Sequence, residues 1–325
     1  MLDFAGKRWW YLSVSFVIFL IAAVSLAVFQ LRPGIEFTSG STFTIEFTEQ
    51  SVSQGDLRSA MGELGHPEAR VQGAGSNKYL IRTEELQNAP TLDSSQGPDQ
   101  PGEINTIEDG LRSRFGALTR SNFSTVSETV STEIARNATL AVIVASIAIL
   151  IYIWLAFRSL HRPFRYGAAA IIAVLHDAFI ILGLFALLGE IHGTEVDLAF
   201  ITAILTVIGF SVHDTIVVFD RIRETLHNDP YIPFEEAVNA SMTETLARSI
   251  NTSLVVVLTV VSMLLIGGDT IRYFLLVLLV GIVAGTYSSI CVASQLLVAW
   301  ENGDFGKFFR KLRGKADDVA AAEPA

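Results

Sequence analysis

VDLAFITAILTVIGFSVHDTIVVFDRIRE, residues 196–224, decides the fold class. From Val196 to Phe219 it stays apolar for roughly the 20 residues that a helix needs to cross about 30 Å of hydrocarbon. Five more runs of this kind are present: Trp9–Phe29, Asn137–Phe157, Tyr166–Leu188, Ser249–Ile266 and Tyr273–Trp300. Together they predict an α-helical polytopic membrane protein with six transmembrane helices. Composition agrees. Of 325 residues, 50% are hydrophobic and 17% charged, against roughly 25% charged in ordinary soluble domains. A net charge of −10 argues against a nucleic-acid partner, which would meet a basic face. The one cysteine, Cys291, excludes an internal disulfide framework and a cysteine-based zinc site.

The basic residues near span ends set the direction of the chain in the bilayer. Lys7 and Arg8 precede the first span, and Arg158, Arg162 and Arg165 lie between the second and third. Arg221 and Arg223 follow the fourth, and Lys307, Arg310, Lys311, Arg313 and Lys315 follow the sixth. The alternate connections carry Glu190, Glu195 and Asp197, or Asp269 with Arg272. Both termini are therefore expected in the cytoplasm, with residues 32–136 outside. The first apolar run is too long for a signal-peptide core and lacks a clean cleavage site, so it reads as a retained anchor.

The connections divide the chain. Residues 1–31 form the cytoplasmic N-terminus and first span, 32–136 an extracytoplasmic domain, 137–300 spans two to six, and 301–325 a basic segment with a disordered tail. Within the domain SGSTFTIEF, SQGDLRSAMGEL, ARVQG, NKYLIRT, INTIEDGLRSRFG and SNFSTVSE alternate as β-α-β-β-α-β, the order of a ferredoxin-like α+β sandwich. The Pro/Gly/Ser-rich stretch 86–103 reads as a flexible loop. A compact domain here does contact work or serves as a mere lid. NDPYIPFEEAVNASMTETLA, before the fifth span, reads as an amphipathic helix along the cytoplasmic interface.

Ionisable side chains inside spans are costly and mark pathways or relays by default. Asp214 sits five residues inside the boundary at Phe219, with Ser211 one turn earlier on the same face; His213 points about 100° away. In the fifth span Arg248, Asn251, Thr252 and Thr259 share one helix face. Spans four and five are antiparallel, so Asp214 and Arg248 are expected at similar depth, the arginine snorkelling along its stem. A buried carboxyl beside a mobile cation loads and releases a proton as the cation approaches and withdraws. The plainer alternative is a static ion pair gluing two helices. His176 and Asp177 near the middle of span three suit a relay role and interhelical hydrogen bonding equally. The His-Asp dipeptides lack further ligands at metal spacing. Gly281, Gly285, Ser288 and Ser289 in span six favour close helix packing, or a sliding surface. With no nucleophile–base pair and no metal cluster, neither an enzyme nor a bound cofactor is expected.

GIEFTSGSTFTIEF, HDAFIILGLFALLG, TVIGFSVHDTIVVFDRIRE, LARSINTS and GTYSSICVAS resemble the bacterial protein-export membrane proteins of the SecD/SecF family, on its SecF side. The family lies in the resistance-nodulation-division superfamily, and the resemblance runs from about Lys7 to Trp300. It implies a proton relay on Asp214, Arg248 and Thr252, with H⁺ as coupling ion and Na⁺ as the alternative. It also implies partnership with SecD and the SecYEG translocase, YajC and YidC as further associates, and a translocating preprotein as cargo in the bacterial inner membrane. His213 stands where Asn is common, and SGS replaces a GG pair after Phe37. Three rivals follow from the residues: a homodimeric lipid or drug exporter, a translocase scaffold with an idle ion pair, and a membrane-embedded enzyme. The first would need a larger outer domain or an apolar cleft, and the last a catalytic arrangement.

Overall fold

The structure, a computed structural model, describes residues 3–48, 51–75, 77–87, 102–158, 162–268, 271–304 and 307. They form two compact units. One comprises Leu31–Ala141 with Leu188–Leu198; the other takes in the described residues of Met1–Gln30, Val142–Leu187 and Ala199–Ala325.

The first unit is built on a four-stranded sheet. Its elements run α2 (Ile35–Thr38), β1 (Gly40–Phe47), α3 (Gln54–Glu63), β2 (Arg70–Gly75), β3 (Lys78–Thr83), α4 (Glu103–Phe115) and β4 (Leu118–Val126). The β-α-β-β-α-β order is the one the alternation predicts. All pairings are antiparallel in the order β2-β3-β1-β4, with Phe43 opposite Ile81 on one side and Phe123 on the other. The period-2 apolar residues Phe43, Ile45 and Phe47 face the helices. There Leu57, Ala60 and Met61 of α3 and Ile104, Ile107 and Leu111 of α4 bury the i, i+3, i+4, i+7 stripes that made these segments helical. Ser53 caps α3, its Oγ accepting from the Asp56 backbone N–H at 3.1 Å. Most of the stretch 86–103, expected as a loop, lies outside the described residues; so does most of the tail beyond residue 301.

Sequence reasoning ran span three to Leu188 and span four from Val196, with residues 189–195 as a plain connection. The structure makes the whole stretch Leu188–Leu198 part of the sheet-bearing unit. Pro33 bridges Val196, the Val196 N–H donates to the Arg32 carbonyl at 2.7 Å, and the Gly34 N–H donates back to the Val196 carbonyl at 2.8 Å. Arg82 of β3 reaches the Glu195 carboxylate at 2.5 Å and the Pro33 carbonyl at 3.0 Å, and also donates to the Thr38 hydroxyl.

The second unit is helical. Six helices among the described residues are long and apolar enough to span a membrane. Five are α1 (Arg8–Phe29), α5 (Glu128–Phe157), α6 (Pro163–His192), α7 (Leu198–Asn228) and α8 (Phe234–Ile266). The sixth is α9 (Arg272–Ser288), continued through a π-helical turn, Ser289–Ala293, into α10 (Ser294–Glu301). The expected interface helix before span five is not separate: it is the first half of α8. No glycine or proline interrupts residues 234–266, so nothing stops the helix. Large apolar side chains such as Phe16, Trp154 and Val255 stay exposed, as a bilayer-facing surface requires. Helices meet closely at glycines. A Cβ on Gly183 would lie 2.5 Å from the Ala22 backbone, and one on Gly281 would lie 2.4 Å from Val207. At one end of this unit Arg8 joins Asp304 and Glu235 at 2.8 and 3.0 Å, while Arg162 and Arg165 share Glu301.

Candidate functional site: two buried carboxylates among hydroxyls

Helix α7 turns Val207, Ser211, Asp214, Thr215 and Val218 inward, a spacing of three and four that buries one face. Asp214 is 8% exposed. Its Oδ1 accepts a 2.6 Å hydrogen bond from Ser249 Oγ on α8. Its Oδ2 is buried with no hydrogen-bond partner among the described residues. Ser249 belongs to a row on α8, Ser241, Thr245, Ser249 and Ser253, four residues apart and all buried. Ser241, Thr245 and Ser253 each donate to the carbonyl four residues back, at 2.7, 2.8 and 2.7 Å. Ser249 instead spends its proton on Asp214.

A second carboxylate lies deeper. Asp177 of α6 is fully buried. Its Oδ2 accepts from Ser211 Oγ of α7 and from Ser288 Oγ of α9, both at 2.6 Å, and its Oδ1 lies 3.1 Å from His176 Nδ1. Three helices therefore converge on one carboxylate. Close by, Ser289 Oγ lies 2.9 Å from Thr215 Oγ1 and 2.9 Å from the Gly285 carbonyl, and Ser253 Oγ meets Thr286 Oγ1 at 2.5 Å. The small residues at 281–289 let α9 approach closely enough for these bonds, since a Cβ on Gly285 would sit 3.0 Å from Ser211 Cβ.

The polar stripe on α8 is placed differently from expectation. Arg248, Asn251 and Thr252 are exposed, and Thr252 Oγ1 donates to the Arg248 carbonyl at 2.8 Å. Arg248 lines a surface groove with Val217, Asp220, Arg221, Glu224, Glu244 and Thr245. Among the described residues no ion pair joins it to Asp214. The reason is angular: Ser249 follows Arg248 by about 100° round the helix, and it is Ser249 that faces the bundle. His213 is exposed as well, while Ser211 and His176 are buried. Sequence reasoning missed Ser249, Ser253, Thr215 and Thr286. The signal for the α8 row was present in the four-residue spacing of its hydroxyls.

The model of protein export membrane proteins SecD/SecF, C-terminal part, matches residues 106–303, and that of the SecD/SecF GG motif matches residues 24–50. The chain belongs to the SecD/SecF family. Among relatives in that family, the protein translocase subunit SecF of Thermobaculum terrenum is 43% identical over 97% of this chain and 99% of its own. The protein translocase subunit SecDF of Bacillus subtilis is 35% identical over 94% of this chain, which spans 39% of that longer protein. The crystal structure of SecDF, a translocon-associated membrane protein, from Thermus thermophilus superposes with a TM-score of 0.77 at 33% identity, covering 93% of this chain and 39% of that one. The GG-motif match takes in Ser39–Gly40. Gly40 has φ 122°, and a Cβ there would lie 2.6 Å from the Thr83 carbonyl oxygen, so this position of the chain requires glycine.

Proposed function

We propose that this chain acts as the SecF part of a SecD–SecF assembly in the bacterial inner membrane, using the proton-motive force to help a SecYEG translocase move preproteins outward. The observation that carries the reading is Asp214. It is a buried carboxylate in an apolar bundle, with one oxygen held by Ser249 and the other uncommitted. A permanent charge so placed is costly. A carboxyl that takes up and gives off a proton has a use for an uncommitted oxygen, and a static glue residue has none. Arg248 and Thr252 join the relay when the spans rearrange, the arginine swinging inward from the exposed face of α8.

That exposed polar face also supports partnership with SecD. A six-span chain is half of a superfamily transporter built from two related halves, and SecDF relatives carry more than this chain's length in one polypeptide. SecYEG, with YajC and YidC, is the wider assembly. The excess of basic residues at alternate connections puts both termini in the cytoplasm and residues 32–136 outside. Each proton crossing supplies about 2.3 kcal/mol per 100 mV, plus the pH difference, enough for repeated small strokes on an emerging chain.

Asp214→Asn in the full chain, reconstituted with its SecD-type partner, is expected to abolish both export stimulation and proton flux while leaving assembly intact. Unchanged export and flux would overturn the reading. Imposing a Na⁺ gradient in place of the pH gradient is expected to give no flux. Deleting residues 40–125 should stop export with membrane insertion preserved.

A further inference from the structure

We infer that Asp177 is a second proton-holding carboxyl in this chain, and that its protonation loosens the hydrogen bonds that tie α6 to α7 and α9. The inference rests on the proton-relay reading above and adds to it a second residue and a route from proton to helix movement.

Three observations carry it. Asp177 is fully buried, and its two shortest bonds come from neutral serine hydroxyls, Ser211 and Ser288, at 2.6 Å each. Among the described residues no lysine or arginine is buried. The titratable groups within a turn of the contacting residues on these elements are His176 beside it on α6, His213 (exposed) and Asp214 beyond Ser211 on α7, Tyr287 on α9 and Cys291 in the π turn. A node meant only for packing is served by a neutral acceptor, because burying an ion costs several kcal/mol. The second observation is the alternative open to Ser288. Its hydroxyl lies 2.6 Å from Asp177 Oδ2 and 3.1 Å from the Gly285 carbonyl. The third is that α9 gives way to the π turn at the very next residue, Ser289. Such turns break the regular ladder and occur often at functional sites. This one is held from its far side by Ser294 Oγ on the Ser289 carbonyl at 3.0 Å and Gln295 Nε2 on the Ile290 carbonyl at 3.4 Å.

The step balances on these atoms. A proton delivered by hydronium, the species the relay moves, forms an O–H bond at Asp177 Oδ2. Ser288 turns its own hydrogen to the Gly285 carbonyl and accepts from the new acid. Ser211 loses its charged acceptor. Charge on the carboxyl goes from −1 to 0 and no other covalent bond changes; return of the proton to water reverses each change. Two charge-assisted bonds become one neutral bond, and charge-assisted bonds are about twice as strong. The element released is α7, the helix that carries Asp214.

Infrared difference spectroscopy of the full chain in proteoliposomes, between alkaline and acid buffer, tests this. Two buried protonated-carboxyl bands are expected in the wild type, with Asp214→Asn removing one and Asp177→Asn the other, and proton uptake falling by one per chain in each. A spectrum of Asp177→Asn that superposes on the wild type overturns the inference. Ser288→Ala keeps the carboxyl and covers the case in which Asp177→Asn fails to fold. It is expected to shift only the Asp177 band, and an unshifted band also overturns the proposal. The arms separate the two readings: if Asp214→Asn leaves export and flux intact the relay fails, whatever Asp177 shows; if only the Asp177 band is missing from the wild type, the relay stands.

Discussion

Ser39 holds φ 58° and ψ 171°, a backbone region that glycine adopts freely and a side chain does not. It fills a position inside the GG-motif match, and Gly40 follows it with φ 122°. Holding a non-glycine residue there costs about 1–3 kcal/mol, while glycine adds back about 0.5–1 kcal/mol of unfolded-chain freedom. Relief of strain is the larger effect. Ser39→Gly is therefore expected to stabilise the protein by about 1 kcal/mol, read as a raised melting temperature of the full chain in detergent; an unchanged or lower value would count against it. Residue-scale legibility was uneven. Asp214 and Asp177 stood out because a carboxylate in an apolar run is conspicuous in any register. Ser249 did not, because a serine in such a run most often satisfies itself on its own helix, as Ser241 and Ser253 do here.

At the scale of elements the small residues of α9 carry the packing. A Cβ on Gly281 would meet Val207 at 2.4 Å and Ile181 at 3.0 Å, so two other helices already fill the space. Gly281→Leu is expected to destabilise the bundle by at least about 3 kcal/mol, the upper range for overpacking, and to lower the yield of folded protein in gel filtration. A variant as stable as the wild type would mean that α9 is free to move away. The spacing of Gly281, Gly285 and Ser288 announced close approach but not which helices approach. Both α6 and α7 do, through Ile181 and Val207 at one level and Asp177 and Ser211 at the next. The π turn was not legible. Nothing in SICVA differs from an ordinary helix, and the side chains at 294 and 295 that bond the carbonyls of the wider turn lie beyond it.

At the scale of the whole molecule, Arg82 joins the sheet to the segment that leads into α7. Its partners are Glu195, Pro33 and Thr38, and α7 begins at Leu198. Arg82→Ala removes donors from a part-buried carboxylate and a carbonyl, at about 1.5–3 kcal/mol for charge-assisted bonds. Lower melting temperature and faster proteolysis of the sheet-bearing unit are expected. Exchanging the pair, Arg82→Glu with Glu195→Arg, should recover part of the loss, and no recovery would show that the other two partners matter more. Glu36 gives a pH signature in the same unit. Burial raises its carboxyl above the usual range; Asp197 and Glu195 add to this, while a backbone hydrogen bond and Arg82 oppose it. A carboxyl that binds its proton more tightly when folded favours the folded state at low pH. That contribution is complete below the unfolded value and is lost as pH rises through the folded one. Glu36→Gln is thus expected to stabilise the protein at neutral pH and to bring less change on acidification than the wild type shows. Parallel melting curves across pH for the two would refute it.

Taken by itself, the sequence determined what depends on local period and solvent. Six apolar runs of bilayer length and a β-α-β-β-α-β alternation are each set by which side chains water or lipid will accept. The two carboxylates were set apart in the same way, by the cost of charge in an apolar segment. Only the tertiary structure decided what depends on rotation about a helix axis and on packing between distant segments. A turn of about 100° put Ser249 rather than Arg248 on Asp214. The approach of α7 and α9, permitted by missing side chains at Gly281 and Gly285, placed two hydroxyls on Asp177. The pairing of Pro33 with Val196 drew Leu188–Leu198 into the sheet-bearing unit. None of these is written in a period, because each depends on which face of one element another finds.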